Sequence, residues 1–203
     1  RSDEDAASFR AELTHLLVNE GMRGAPLWVN EGLATYLSTL HWEGPRVVVG
    51  DRPAGYRGSV WLGKLEEVMA CRSSTECYQV ENFHLRAWAL VHLLQQEPAH
   101  RRLFRRYLEL LRDGLLHEAA YAQTLATLPW PQLSKEYGDY LLRGSANSWT
   151  IPWQPPNVSL APSVALDHVG VHQTFGSLLR GGDDKLVHEL SELEALAPNA
   201  LGT

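Results

Sequence analysis

Apolar residues recur at three- and four-residue intervals along most of this chain, a spacing that predicts a mainly α-helical protein. Phe9, Leu13, Leu16 and Leu17 mark a first helix over residues 5–19. Asn19-Glu20-Gly21 and Arg23-Gly24-Ala25-Pro26 interrupt it, because glycine and proline break helical continuation. Trp28, Leu33, Tyr36, Leu37 and Leu40 place a second helix over 27–40. The β-branched run Arg46-Val47-Val48-Val49-Gly50 is the one convincing strand. Helical spacing returns over 58–70 and, strongly apolar, over 80–96. Pro98 opens a further helix that reaches residue 112, and 115–128 and 132–143 complete the helical body.

The pattern then changes. Trp149-Thr150-Ile151-Pro152-Trp153-Gln154-Pro155-Pro156 holds three prolines in eight residues. Proline fixes φ and offers no amide donor, so this stretch reads as an extended connector. Beyond it, 164–179 and 185–197 look like a helical pair, and Glu194-Ala195-Leu196-Ala197-Pro198-Asn199-Ala200 resembles the turn region of helical-repeat proteins. One pair establishes no period. The expected organisation is a helical body over 1–145, a Pro-rich linker over 146–161 and a helical pair over 162–203, at most the start of a TPR-like repeat region. The chain opens at Arg1 without a starting Met and shows no clear stop at its end, so it reads as a piece of a longer protein.

Composition narrows the classes. The 203 residues suit one domain or one and a half, and 44% hydrophobic with 21% charged residues is a globular balance. A net charge of −6 argues against a general nucleic-acid binder. Arg101, Arg102, Arg105, Arg106 and Arg112 then read as a solvated helix face. No apolar run approaches the roughly 20 residues of a membrane span. Cys71 and Cys77 bracket Arg-Ser-Ser-Thr-Glu, a polar stretch that reads as a loop able to bring them within disulfide reach. Two readings stand: a local disulfide, which favours a periplasmic or extracellular location, or two free thiols. C-x5-C with no nearby His pair is poor zinc spacing.

The stretch that carries chemistry is Ala11-Glu12-Leu13-Thr14-His15, followed by Trp28-Val29-Asn30-Glu31-Gly32-Leu33-Ala34. On a helix, positions i and i+4 lie one turn apart on one face, so H-E-x-x-H offers two imidazoles to one metal. The Glu beside the first His faces the metal-bound water and takes its proton. A third ligand from a second helix leaves the fourth corner open for water. Here Glu12 stands in the place of the base and His15 in that of the second His, with Glu31 as a carboxylate on the next helix. Ala11 occupies the place of the first His.

Glu12-Leu13-Thr14-His15-Leu16-Leu17 and Pro26-Leu27-Trp28-Val29-Asn30-Glu31-Gly32-Leu33-Ala34-Thr35-Tyr36 resemble the zinc metallopeptidases of the gluzincin clan. The likeness is to the peptidase-MA-like group, whose helices read HELTH and NEGLA. It continues through Arg46-Val47-Val48-Val49-Gly50 and Arg86-Ala87-Trp88-Ala89-Leu90-Val91-His92-Leu93-Leu94, and covers residues 5–143. The resemblance implies a metallopeptidase catalytic helical subdomain that hydrolyses peptide bonds of a peptide or protein substrate with zinc-activated water. Glu12 would be the general base, and His15 and Glu31 zinc ligands. His84, one turn before Trp88, would stand where the family stabilises the oxyanion; its plainer reading is a helix-surface histidine. His92 reads as a core residue or as one that supports the metal ligands from behind, and Trp61, Trp130, Trp149 and Trp153 as core and linker packing.

Two departures qualify what the family implies. Ala11 cannot bind metal. Zinc held by a full structural ligand set is worth roughly 10–16 kcal/mol, so one lost ligand costs about 3–4 kcal/mol, a weakening on the order of 10²–10³. The chain is therefore expected to bind zinc weakly or not at all; the alternative is an inactive pseudo-peptidase acting as a binding or scaffold module. Second, gluzincins carry a β-sheet before the HExxH helix whose edge strand holds the substrate, and none precedes the helix here. The wide apolar arc of Phe9, Leu13, Leu16 and Leu17 is then expected to be covered by a homodimer partner, a separate N-terminal fragment or the segment from Trp149 on.

Overall fold

The computed structural model describes residues 3–53, 64–143 and 147–153. These residues form eight α-helices, one 3-10 turn and three short strands, so the mainly helical expectation is met. The first two helices, α1 (Asp3–Gly21) and α2 (Leu27–Ser38), pack as an antiparallel hairpin. Its turn passes through Gly24 at φ +91°, a left-handed conformation that glycine adopts without a steric penalty. Where the two helices meet at their far ends, Arg10 Nε and Nη2 donate to the Ser38 carbonyl at 3.1 and 2.9 Å. That carbonyl belongs to the last turn of α2, which the helix leaves without an internal partner.

Two short helices follow, α3 (Leu65–Ala70) and α4 (Ser74–Gln79), and then α5 (Phe83–Gln96), α6 (Pro98–Arg112), α7 (His117–Gln123), the 3-10 turn Leu125–Thr127 and α8 (Trp130–Arg143). All of α5 from Leu85 to Leu94 is buried; a helix apolar all round belongs at the centre. α2 lies directly on it. Gly32 makes that approach possible, since a Cβ there would stand 2.6 Å from Val91 Cγ2 and 2.7 Å from the Ala87 carbonyl oxygen. α6 turns Phe104, Tyr107, Leu110 and Leu111 inward, and Trp28 of α2 stacks on Phe104 and Tyr107. On its outer side Arg105 and Arg106 pair with Glu109.

A three-stranded antiparallel ribbon, in the order β1 (His41–Glu43), β2 (Arg46–Val49), β3 (Trp149–Pro152), rests against the helices. Gly44 at φ +58° opens the two-residue link between β1 and β2, the position that needs glycine in a type II′ hairpin. Trp42, Val47 and Ile151 form one cross-strand row. The stretch read as an extended connector is extended at Trp149–Pro152, but there it pairs with β2. Pro152 has no N–H, which blunts the outer edge of β3. Trp149 and Trp153, read as packing, are partly exposed together with Trp42 and Ile151.

The polar stretch between the cysteines is not a plain loop. Ser73 Oγ accepts from Glu76 N–H at 3.3 Å, and Glu76 Oε2 accepts from Arg72 N–H at 2.8 Å, which starts α4. Cys71 and Cys77 are buried and form a disulfide with Cα atoms 5.5 Å apart. Among the described residues no helix is long and apolar enough to cross a membrane. The start of the helix expected over 58–70, Trp61, and the helical pair over 162–203 with its repeat-like turn lie outside the described residues.

Candidate functional site

His15 lies half-buried on α1 at the seam with α2. Its Nδ1 is 2.8 Å from Asn30 Oδ1. Asn30 Nδ2 in turn donates to Asn19 Oδ1 at 2.9 Å, which turns the amide so that its oxygen meets the imidazole. An amide oxygen only accepts, so Nδ1 carries the proton, and Nε2 of the neutral ring keeps its lone pair. Metal-ligating histidines are oriented by a hydrogen bond of this kind. Neither Asn19 nor Asn30 was singled out in the sequence. Their signal was positional: Asn19 follows His15 by one helical turn, and Asn30 immediately precedes Glu31.

Glu31 lines a cleft of about 500 Å³ between the start of α2 and the α4–α5 corner. Leu27, Val80 and Phe83 give it apolar walls, and the exposed Glu81 and His84 stand on it as well. Asn82, at φ +52°, turns the chain into α5 and so brings His84 to the cleft on the first turn of that helix. Ser74 and Cys77 of α4 form a further wall, so the disulfide tethers part of the cleft. The structure thus brings Glu31 and His84 to one opening. His15 joins the residue next to Glu31, while Glu12, exposed on α1, and His15 are not among the residues lining that cleft. His92 is a core residue, fully enclosed, as expected.

A catalytic zinc ion takes three protein ligands. Ala11 presents only a methyl group one turn before His15, which leaves His15 and Glu31 as donors. Among the described residues no three His, Cys, Asp or Glu side chains are grouped as ligands of one metal ion. The residues present do not fit a complete zinc centre. No family model, curated protein or solved structure matches this chain. The resemblance to gluzincins therefore rests on the motifs themselves.

Proposed function

We propose that this chain is the helical subdomain of a gluzincin-like metallopeptidase with an incomplete metal centre, derived from an enzyme that hydrolyses peptide bonds and itself weak or inactive in that reaction. The observation that supports this best is the chain of hydrogen bonds from Asn19 through Asn30 to His15, which leaves Nε2 free one turn from Ala11. A histidine that binds metal through Nε2 is held in that tautomer by a partner on Nδ1, the part Asn30 takes here. Glu31, on the helix packed against α1, is the second donor in this reading, Glu12 the proton acceptor and His84 the donor toward a developing oxyanion. The test is metal content by elemental analysis after dialysis against a mild chelator, on the unsubstituted protein and on Ala11→His. Little zinc is expected in the first and one equivalent in the second. A folded Ala11→His protein that takes up no zinc overturns the reading.

A second reading, a pseudo-peptidase that binds peptide without cleaving it, is favoured by the cleft. Leu27, Glu31, Glu81 and His84 line it whatever stands at position 11. In the same samples, a fluorescent peptide that binds in the presence of chelator and stays intact separates this reading from the first. The exposed stripe of Phe9, Leu13 and Leu17 on α1 is, in either case, the surface we assign to a second copy or to a separate N-terminal fragment. The disulfide is compatible with an exported protein.

A further inference from the structure

A titratable ring is enclosed where the ribbon meets the helices. His92, on α5, has no exposed surface. Its Nδ1 is 2.8 Å from the Tyr140 hydroxyl on α8, and its ring lies against Trp88 and Tyr36 with centroids 5.0 and 5.7 Å away. Nε2 makes no hydrogen bond of ordinary geometry, although the backbone of Gly50 and of Asn147 lies beside the ring. Those two residues mark one end of the ribbon, because Val49 and Trp149 are paired there. The same end is fastened by Gly50 N–H donating to Thr39 Oγ1 at 3.0 Å and by Gln96 Nε2 donating to the Asn147 carbonyl at 2.8 Å. Gly50, at φ +87°, sits so close to Tyr36 that a Cβ would stand 2.9 Å from Cε2.

We propose that His92 is a proton-sensitive latch at the root of the ribbon: protonating its imidazole releases β2 and β3 from α5 while the helices stay packed. The groups around it do not offset the cost of enclosing the charge. Burial holds the Tyr36 hydroxyl up at about 12, with Arg101 of α6 opposing, so Tyr36 stays neutral. Tyr140 and Trp88 carry no charge. The backbone of Gly50 and Asn147 and the more distant Asp51 carboxylate favour the charged ring, but burial outweighs them and pushes His92 down to about 4. Asp51 is also shared with His41 of β1, 3.6 Å away.

Once the ribbon lifts, water reaches the imidazole and its ordinary value of about 6.5 returns. The open form therefore takes the proton first. Opening gains about tenfold per pH unit as pH falls from about 6.5 to about 4, on the order of 10²-fold in all. The ribbon is three strands of three or four residues, a unit small enough to open separately from the helices, at the cost of uncovering Val47, Val48 and Val49. His41 works against this: the Thr39 carbonyl, then Glu43 and Asp51, hold it above its usual value, so acid strengthens its contacts in the closed form.

The test is amide hydrogen exchange on the full chain between pH 7 and pH 4, corrected for intrinsic rates. Protection at Val47, Val48 and Val49 is expected to fall on the order of 10²-fold, while Leu90 and Leu94 of α5 keep theirs. His92→Phe, which fills the space and takes no proton, is expected to abolish the fall, and His41→Gln to leave it in place. A ribbon equally protected at both ends of the range overturns the proposal, as does an undiminished fall in His92→Phe or a simultaneous loss across α5. If His92→Phe does not fold, NMR titration of the His92 ring decides the matter. The rise in ribbon opening must then level off where the ring itself titrates in the closed form, and a rise that ends well above that point or runs on below it overturns the latch.

Discussion

Of the described glycines Gly32 has the least room for a side chain, and one of its two obstacles is the Ala87 carbonyl, a backbone atom that cannot rotate away. Gly32→Ala is expected to push α2 off α5 and to cost about 3 kcal/mol, the upper part of the range for overpacking. Thermal denaturation should show this as a fall of roughly 6–12 °C in Tm, at about 2–4 °C per kcal/mol for a chain of this size. A change under about 2 °C would mean that the helices separate without loss. The glycine was visible in the sequence as part of NEGLA, but its reason was not, since spacing along one helix says nothing of how near the next one comes. Ala11 and His15 could be set on one helix face because i, i+4 geometry is local, whereas Glu12 and Glu31 were picked out through the resemblance. The roles of Asn19 and Asn30 emerged only once α1 and α2 were laid side by side.

The Cys71–Cys77 disulfide closes a short loop around the start of α4, and its effect should be read on that corner. Chain-entropy arguments give about 2 kcal/mol for a loop of this length. Replacing both cysteines by alanine is expected to lower the unfolding free energy by that amount in urea, with the slope little changed. The intact protein, under non-reducing conditions, should weigh two hydrogens less than its reduced form. Equal stability with and without the bond would remove its structural role. α4 itself was partly legible, because Ser73 and Glu76 stand at the spacing of a helix-starting pair. β1 and β3 were not. Strands of three and four residues carry too little alternation to be seen alone, and their pairing with β2 is what defines them.

Phe9, Leu13 and Leu17 fall at successive turns of α1, and all three lie open, at 63%, 43% and 61% exposure. A stripe of this kind on the helix that also carries His15 is expected to hold the molecule in a larger assembly. Light scattering should give a mass above that of one chain, and Leu13→Glu with Leu17→Glu should return it to one chain without unfolding it. Scattering at the mass of a single chain, with these residues intact and no fragment bound, would refute the association. The breadth of the apolar arc was readable from the sequence; which part of it the rest of the body leaves uncovered was not, because that depends on where α2 and α5 come to lie.

Time enters through the ribbon. Val49 is paired with Trp149, 100 positions later in the chain. At a synthesis rate of about 5–20 residues per second, β2 waits roughly 5–20 s for its second neighbour. Throughout that interval Val47, Val48 and Val49 present an apolar strand with one open edge, the arrangement most prone to mispairing with another chain. The arrival of β3 ends the hazard, and because its outer edge carries Pro152, the strand that closes the ribbon does not offer an equally open one in its place.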